Sequence, residues 1–448
     1  MPALSIDFAS SLSDTRVMSV AAVEPPSPAK SHRKLYWLIL CVGFALRFGF
    51  VLWTKTYVQR PGAIYPYALE VSSIAAHLAR GQGFSSPFLH DTGPTAWIAP
   101  IYPCIVALVF RLFGIYTSAS ALLLLGLQCL MAAATGIAIY RLGSRTLGPK
   151  IGMWSAWIWT VSPIFFRWPA SWIWDFAASA LLLATILNVT LSAAERGRTK
   201  DWMFLGILWG ITALTNPALL SILPFSYGYA FLAGKRPYRA KKAIYSAALC
   251  LLLIMPWAIR NDVVFGHPVF LRSNFWFEFH LGNYHYSNGM GYFGFHPGSN
   301  PRELDRYEQL GEQGYIRWAR AQALNFVHKY PREFLQLTLH RTLWFWDGTP
   351  LIYQAQEWWQ PWEFWPFSAA AWLGLIFLLT RRPRGWALFA ACLIVYPIPY
   401  YLVYPVAKYR YALEPEMLLL CVFLASVLLK ELVRQHVRAK INNLRRSA

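Results

Sequence analysis

The stretch ASALLLLGLQCLMAAATGIAIYRL, residues 119–142, decides the fold class because it carries no charge before Arg141. An apolar run of this length is long enough to cross the hydrocarbon core of a bilayer as a helix. Comparable runs, two of them short, recur along the chain at 35–53, 150–168, 172–193, 202–216, 218–233, 243–260, 364–380, 386–404 and 413–430. The sequence therefore predicts an all-α integral membrane protein with about ten transmembrane helices.

The composition supports a membrane protein and argues against a nucleic-acid-binding one. Hydrophobic residues make up 56% of the 448 residues and charged residues 14%, which is more apolar surface than a soluble core of this size requires. The formal net charge is +20, but the basic residues fall in short clusters between apolar runs. All six cysteines lie inside apolar segments without a CxxC pair, so neither a disulfide nor a cysteine metal site is expected.

The topology depends on whether the segment IAPIYPCIVALVFRLFG, residues 98–114, crosses the membrane, and the basic clusters decide between the two possibilities. This segment is short, contains two prolines and carries Arg111 near its end. If it does not span, the later basic clusters all lie on the cytoplasmic side, which the positive-inside bias favours. These clusters occupy 141–150, 196–200, 235–242, 381–384 and the chain from 430 onward. We therefore predict that 98–114 is a juxtamembrane helix in the first outer loop.

Three regions follow from this topology. Residues 1–34 are rich in Ala, Ser and Pro and are predicted to be a disordered cytoplasmic tail. Residues 35–433 form the transmembrane domain, and 434–448 form a basic cytoplasmic tail. The outer face then holds four pieces, which we call the outer pieces: 54–118, 169–175, 261–363 and 405–412. Because irregular backbone at membrane depth needs protein or a water-filled cavity beside it, the outer pieces are expected to surround a cavity.

Glu70 is the first candidate for chemistry. It lies in the first turn of a helix predicted from apolar spacing over 69–78 and ended by Gly81. A carboxylate in a partly dry pocket can act as a general base toward a hydroxyl. The alternative is a solvated carboxylate that interacts with the helix dipole.

Asp175, in SWIWDFAASALLLA, is the second acidic candidate. A carboxylate at the edge of an apolar helix is costly unless it faces a cavity or a partner. The alternative is that it caps the helix.

Cations at the outer ends of spans are candidates for binding a lipid phosphate. Arginine offers a planar fork and lysine a point charge to phosphate oxygens. The alternative is ordinary snorkelling toward lipid headgroups. The candidates, with their neighbours, are Arg260, Asn261, Lys408, Tyr409, Arg410 and Tyr411.

The remaining motifs give little evidence for a nucleotide or metal site. GMGYFG at 289–294 matches G-x-G-x-x-G but lies in an aromatic outer loop, without the strand and helix that a nucleotide site requires. The histidines lack metal-ligand spacing, and the chain has neither a P-loop nor a D-x-D pair. We therefore expect no nucleotide-bound donor. The sequence identifies no cofactor, although the acidic residues are compatible with a divalent metal.

Several segments, taken in order, resemble the GT-C superfamily of membrane glycosyltransferases. They are Glu70 after the first span, HLARGQGFSSPF, GPTAWIAPIYPCIVALVFRLFG, TALTNPALLSILP, PWAIRN and KYRYALEPE. The chain looks most like the bacterial branch related to protein O-mannosyltransferases (glycosyltransferase family 39) and aminoarabinose transferases. The resemblance covers about 35–430. Many relatives carry Asp or Asp-Glu where this chain has Ala68-Leu69-Glu70.

The resemblance implies a sugar transfer from a polyprenyl monophosphate donor to a glycan, lipid or protein hydroxyl. It also implies inversion at the anomeric carbon, an acidic base in the first loop and juxtamembrane helices there. The expected location is the bacterial plasma membrane, with an extracytoplasmic site. Two alternatives remain open at this point: a transporter or flippase for polyprenyl-linked glycans, and an oligosaccharide polymerase or ligase with a pyrophosphate-linked donor.

Overall fold

The structure is a computed structural model that describes residues 31–59, 64–234, 239–348 and 360–447. The predicted tail 1–34 therefore lies almost wholly outside the described residues. Over the described ranges the chain is helical, and its only strand-like pairings are isolated bridges between Tyr67 and Ile173 and between Ser85 and Pro94. The first bridge joins the first outer piece to the second.

Seventeen α-helices and several 3-10 turns make up the described ranges. The helices are α1 Ser31–Thr54, α2 Leu69–Ala79, α3 Ile101–Phe113, α4 Ser118–Thr146, α5 Pro149–Val161, α6 Arg167–Ser171, α7 Phe176–Arg196, α8 Thr199–Ala213, α9 Leu223–Leu232, α10 Arg239–Phe265, α11 Phe275–Gly282, α12 Pro301–Lys329, α13 Pro331–Asp347, α14 Gln360–Arg381, α15 Trp386–Val395, α16 Ile398–Leu402 and α17 Glu414–Ser447. The 3-10 turns lie at Pro163–Phe165, Pro217–Ile222, Phe293–Phe295 and Ala407–Leu413.

Every predicted span coincides with helical structure. Within the described ranges, five helices are long and apolar enough to cross a bilayer by themselves, namely α1, α4, α7, α10 and α14. The remaining runs hold shorter helices or broken ones, and α17 begins at the last run. The prediction of about ten spans is thus roughly met.

Two predicted spans are divided, and one begins later than expected. The run 150–168 is divided because α5 ends at Val161, before Pro163. The run 386–404 is divided at Pro397, between α15 and α16. In both places proline lacks the backbone N–H that a continuing helix needs. The run 172–193 becomes α7 only from Phe176, so Asp175 precedes the span.

Segment 98–114 forms α3, a helix of 13 residues that packs beside α2. Its length is about 20 Å, which is less than the roughly 30 Å of a bilayer core. The short helix predicted here is therefore present. A juxtamembrane position agrees with this length.

Arg47 is a charged residue inside the first predicted span, and its contacts are structural. It is buried, and its guanidinium donates to the carbonyl oxygens of Trp159 at 2.5 Å and Thr160 at 3.1 Å. These bonds join α1 to α5.

The side of the membrane can be tested with reporters inserted at glycines between helices. We expect insertions at Gly93 and Gly298 to be extracytoplasmic, and those at Gly148 and Gly385 to be cytoplasmic, because basic residues flank the latter. Paired alkaline phosphatase and green fluorescent protein activities give the measurement. Extracytoplasmic reports from Gly148 and Gly385, together with a cytoplasmic report from Gly298, would mean that α3 spans the membrane and would contradict this topology.

Candidate active site

A cavity of about 640 Å³ lies where the four outer pieces meet. The first piece contributes Glu70 and its neighbours, the second Trp172 to Asp175, the third residues between 272 and 299, and the fourth Lys408 and Tyr409. The expected cavity is therefore present. Its lining mixes charged groups with aromatic rings, as sugar-binding and headgroup-binding surfaces do.

Glu70 lies in the first turn of α2, and its side chain is only 18% exposed. Its Oε1 atom lies 3.1 Å from Nε2 of His296. Burial raises the pKa of Glu70, but the hydrogen bond from His296 and the charge of Lys408 outweigh burial, so the net pKa lies below the usual glutamate value. Glu70 is thus an ionised carboxylate held in a covered site, and not a solvated one.

His296 is a neighbour that sequence reasoning missed. Its Nδ1 atom accepts the backbone N–H of Gly298 at 3.0 Å, so the neutral ring carries its proton on Nε2 and donates it to Glu70. The rings of Phe88 and Phe277 meet it at steep angles, with centroids 5.4 Å away. The sequence signal for it is weak, namely that eight of the ten histidines lie in the first and third outer pieces.

Asp175 directly precedes α7 and lines the same cavity. Its side chain makes no capping hydrogen bond to the helix, so the alternative assigned to it from sequence is not realised. Burial raises the pKa of Asp175 to about 7, against the opposing charges of Arg272 and Lys408. Near neutral pH this carboxyl can therefore both hold and release a proton.

Glu278, from α11, is a third cavity carboxyl and was not predicted. It accepts hydrogen bonds from the Tyr404 hydroxyl at 2.5 Å and from Nδ2 of Asn274 at 2.9 Å. Burial, followed by the charge of Glu70, raises the pKa of Glu278 despite the bond from Tyr404. We call Glu70, Asp175 and Glu278 the cavity carboxyls.

Lys408 is the predicted cation that the structure places in the cavity. Its Nζ atom lies 5.5–5.7 Å from the ring centroids of Trp172, Trp174 and Tyr409. It makes no hydrogen bond or ion pair with the described residues. Burial lowers the pKa of Lys408, while the cavity carboxyls raise it. Tyr409 lines the cavity beside it.

Arg272 is a second cavity cation, and sequence analysis did not find it. Within the described residues it too makes no hydrogen bond or ion pair, although its charge acts on Asp175 and Glu278. It lies in the loop between α10 and α11. Arg272 does not adjoin the apolar run 243–260, so its position in the sequence does not mark it as a cation at the end of a span.

Arg410 and Tyr411, predicted to face the donor, do not line the cavity. Arg410 is 2% exposed, donates to Oγ of Ser368 at 2.8 Å and lies 3.6 Å from Oε1 of Glu414. The Tyr411 hydroxyl donates to the carbonyl of Phe165 at 3.2 Å. In the 3-10 turn Ala407–Leu413, residues two apart point in different directions, so Lys408 reaches the cavity and Arg410 the protein core.

Arg260 and Asn261 also have structural contacts instead of the predicted role. The Arg260 guanidinium donates to the carbonyls of Phe84 and Thr95, each at 2.7 Å. Asn261 is buried and donates to the carbonyl of Val269 at 2.8 Å. Arg260 thus holds the end of α10 against the first outer piece, while Asn261 bonds to the loop that follows α10, and both side chains lie outside the cavity lining.

Among the described residues, no three His, Cys, Asp or Glu side chains are grouped so that they could hold a metal ion. The glycines of GMGYFG lie in a loop and a 3-10 turn, with Gly291 and Phe293 against the cavity. That setting differs from the strand–helix junction of a nucleotide site.

Residues 97–259 match the family described as dolichyl-phosphate-mannose-protein mannosyltransferase. Sequence comparison with curated proteins gives no significant match. The match to the mannosyltransferase family begins before α3 and ends inside α10, so it includes Asp175 but neither Glu70 nor Lys408.

Solved structures share the fold. The oligosaccharyltransferase of Archaeoglobus fulgidus, in complex with Zn and sulfate, aligns with 92% of this chain at a TM-score of 0.51 and 13% identity. The same organism's oligosaccharyltransferase AglB, with an inhibitory peptide and a dolichol-phosphate, aligns with 93% at 0.50 and 12%. This chain spans about half the length of those chains, 51% and 52%.

ArnT from Cupriavidus metallidurans, bound to undecaprenyl phosphate, aligns with 89% of this chain and 78% of its own at 14% identity, but with a TM-score of only 0.38. The conclusions about fold and resemblance therefore rest on the family match and on the fold shared with the oligosaccharyltransferase. These two findings confirm the all-α membrane fold and the resemblance of this chain to the GT-C superfamily of membrane glycosyltransferases.

Proposed function

We propose that the protein is a glycosyltransferase that moves a sugar from a polyprenyl-phosphate donor to an acceptor hydroxyl. The donor phosphate binds Lys408 and Arg272, and the acceptor hydroxyl approaches Glu70. The site faces the extracytoplasmic side of a bacterial plasma membrane, as the basic clusters predict. The acceptor is a glycan, a lipid or a protein.

The observation that carries this proposal is the placement of an ionised carboxylate and two cations without ion-pair partners in one cavity. A general base must be ionised and must be able to reach the acceptor proton. Glu70 meets the first requirement because of His296. Lys408 and Arg272 leave a place for an anionic group, which the phosphate of the donor provides.

The reaction follows from these positions. Glu70 accepts the proton of the acceptor hydroxyl while the hydroxyl oxygen attacks the anomeric carbon. The bond between that carbon and the phosphate oxygen breaks, and the electron pair leaves with the lipid phosphate. Attack from the opposite side inverts the configuration. Lys408 and Arg272 stabilise the negative charge that develops on the leaving phosphate.

The other cavity carboxyls suit substrate orientation. Burial favours the protonated forms of Asp175 and Glu278, and a protonated carboxyl can donate a hydrogen bond to a sugar oxygen as well as accept one. Aromatic rings from Trp172 and Trp174 border the same space. Sugar rings present apolar faces that pack on such side chains.

A pyrophosphate-linked donor is the second candidate, and the presence of two cavity cations favours it. Two cations can neutralise two phosphates as well as hold one between them. The two possibilities differ in the donor that is consumed. Turnover of purified protein with monophosphate-linked and pyrophosphate-linked versions of the same sugar distinguishes them.

The phosphate site predicts a specific pattern of binding defects. Lys408→Ala and Arg272→Ala should each weaken binding of undecaprenyl phosphate by about tenfold or more, because a charge-assisted hydrogen bond contributes roughly 1.5–3 kcal/mol. Thermophoresis on protein in detergent measures the dissociation constant. An unchanged constant in the double variant would contradict the phosphate site.

Arg410→Ala is the matched control. It removes the buried cation that contacts Glu414 and Ser368, so the free energy of unfolding should fall by about 3–5 kcal/mol. The thermal unfolding midpoint should fall with it. Lys408→Ala should leave that midpoint almost unchanged. A specific loss of affinity in a fully stable Arg410→Ala protein would restore Arg410 to the site.

The base is tested by Glu70→Gln, which keeps the shape of the side chain and removes its ability to take a proton. Turnover should fall by roughly a hundredfold or more, while affinity for undecaprenyl phosphate stays near that of the wild type. Glu70→Asp should retain activity between the two, because it withdraws the carboxylate by one bond. Full turnover in a well-folded Glu70→Gln protein would remove Glu70 as the base.

A further inference from the structure

Helix α13 presents a line of leucines to its surroundings. Leu335, Leu339 and Leu343 are spaced four residues apart, so they lie along one face, and they are 58–63% exposed. The opposite face is buried through Leu337, Arg341 and Phe345. We call the three exposed residues the leucine stripe.

The exposure of the leucine stripe equals that of lipid-facing residues elsewhere in the chain. Leu251 and Leu252, in the middle of the long apolar helix α10, are each 61% exposed. Lipid covers such residues in a membrane-spanning helix. Exposing an aligned row of large apolar side chains to water is unfavourable, and the surfaces of soluble proteins generally lack such rows.

The position of α13 is continuous with the membrane-spanning part of the protein. It packs against α14, a candidate span, and against α16. The ring of Phe345 stacks on that of Tyr400 in α16, with centroids 5.8 Å apart. Tyr400 lines the cavity, so α13 lies one layer of side chains away from the candidate active site.

The charges around α13 fit a lipid surface. Lys329 and Arg332, both exposed, lie next to the start of the helix, where their side chains can reach phosphate headgroups. Glu333 is turned toward the loop, where it accepts from the backbone N–H of Tyr286 at 2.8 Å and contacts His285 at 2.9 Å. No exposed residue of α13 is acidic, and the exposed polar residues beside the stripe are Gln336 and His340.

We propose that α13 lies in the bilayer leaflet on the cavity side, with lipid acyl chains covering the leucine stripe. Lys329 and Arg332 then lie at headgroup depth. The occupant is lipid because the stripe adjoins α14 and matches the exposure of α10. This inference does not depend on the proposed function, and it brings one wall of the cavity to the edge of the lipid.

The test uses a photo-crosslinking amino acid, p-benzoylphenylalanine, at position 339 of the full chain in nanodiscs of phosphatidylethanolamine and phosphatidylglycerol. Leu251 on α10 serves as the lipid-facing control and Glu308, exposed on α12, as the water-facing control. After illumination, mass spectrometry counts lipid adducts. Position 339 should give a yield similar to that of 251 and about tenfold above that of 308, since acyl chains surround only the first two.

A second probe at Leu335 makes the result independent of one substitution. Lipid adducts at both 335 and 339 support the proposal. A yield at both positions as low as that at 308 would overturn it. Crosslinks from 335 or 339 to another polypeptide, seen as a band of twice the mass, would also overturn it and would assign the stripe to contact between two copies of the chain.

Discussion

The hydrogen bond between His296 and Glu70 is the contact on which the candidate active site depends. It joins residues 226 positions apart and holds the first outer piece against the third. Burial raises the pKa of Glu70, and the hydrogen bond from His296 is the largest of the contributions that lower it again. With it, a covered carboxylate stays ionised opposite two cations.

A second buried carboxylate joins the segments that surround that contact. Glu312, on α12, accepts from the backbone N–H of Ala96 at 2.9 Å, from the Ser273 hydroxyl at 2.7 Å and from the Tyr307 hydroxyl at 3.0 Å. Buried polar groups with every partner in place rigidify their surroundings. Because Ser273 directly follows Arg272, this cluster also restrains the backbone that carries the second cavity cation.

Local pattern was enough to predict the helices and part of the site. Hydrophobic runs predicted the spans. Glu70 followed from the short helix predicted in the first outer piece, and Asp175 and Lys408 followed from their positions beside apolar runs. Arg272, His296 and Glu278 escaped because their roles depend on contacts across loops and distant segments, which have no periodic signature. Arg410, predicted to act beside Lys408, lies outside the cavity lining, because the 3-10 turn directs the two side chains to different places although they are close along the chain.

The central claim is that one cavity holds a lipid phosphate beside a general base. A cryo-electron microscopy structure of the protein in nanodiscs with undecaprenyl phosphate tests it most directly. The account predicts phosphate density in contact with Lys408 and Arg272, with the carboxylate of Glu70 facing the same space. Phosphate density at Arg260 or Arg410, or on the opposite face of the membrane domain, would contradict it.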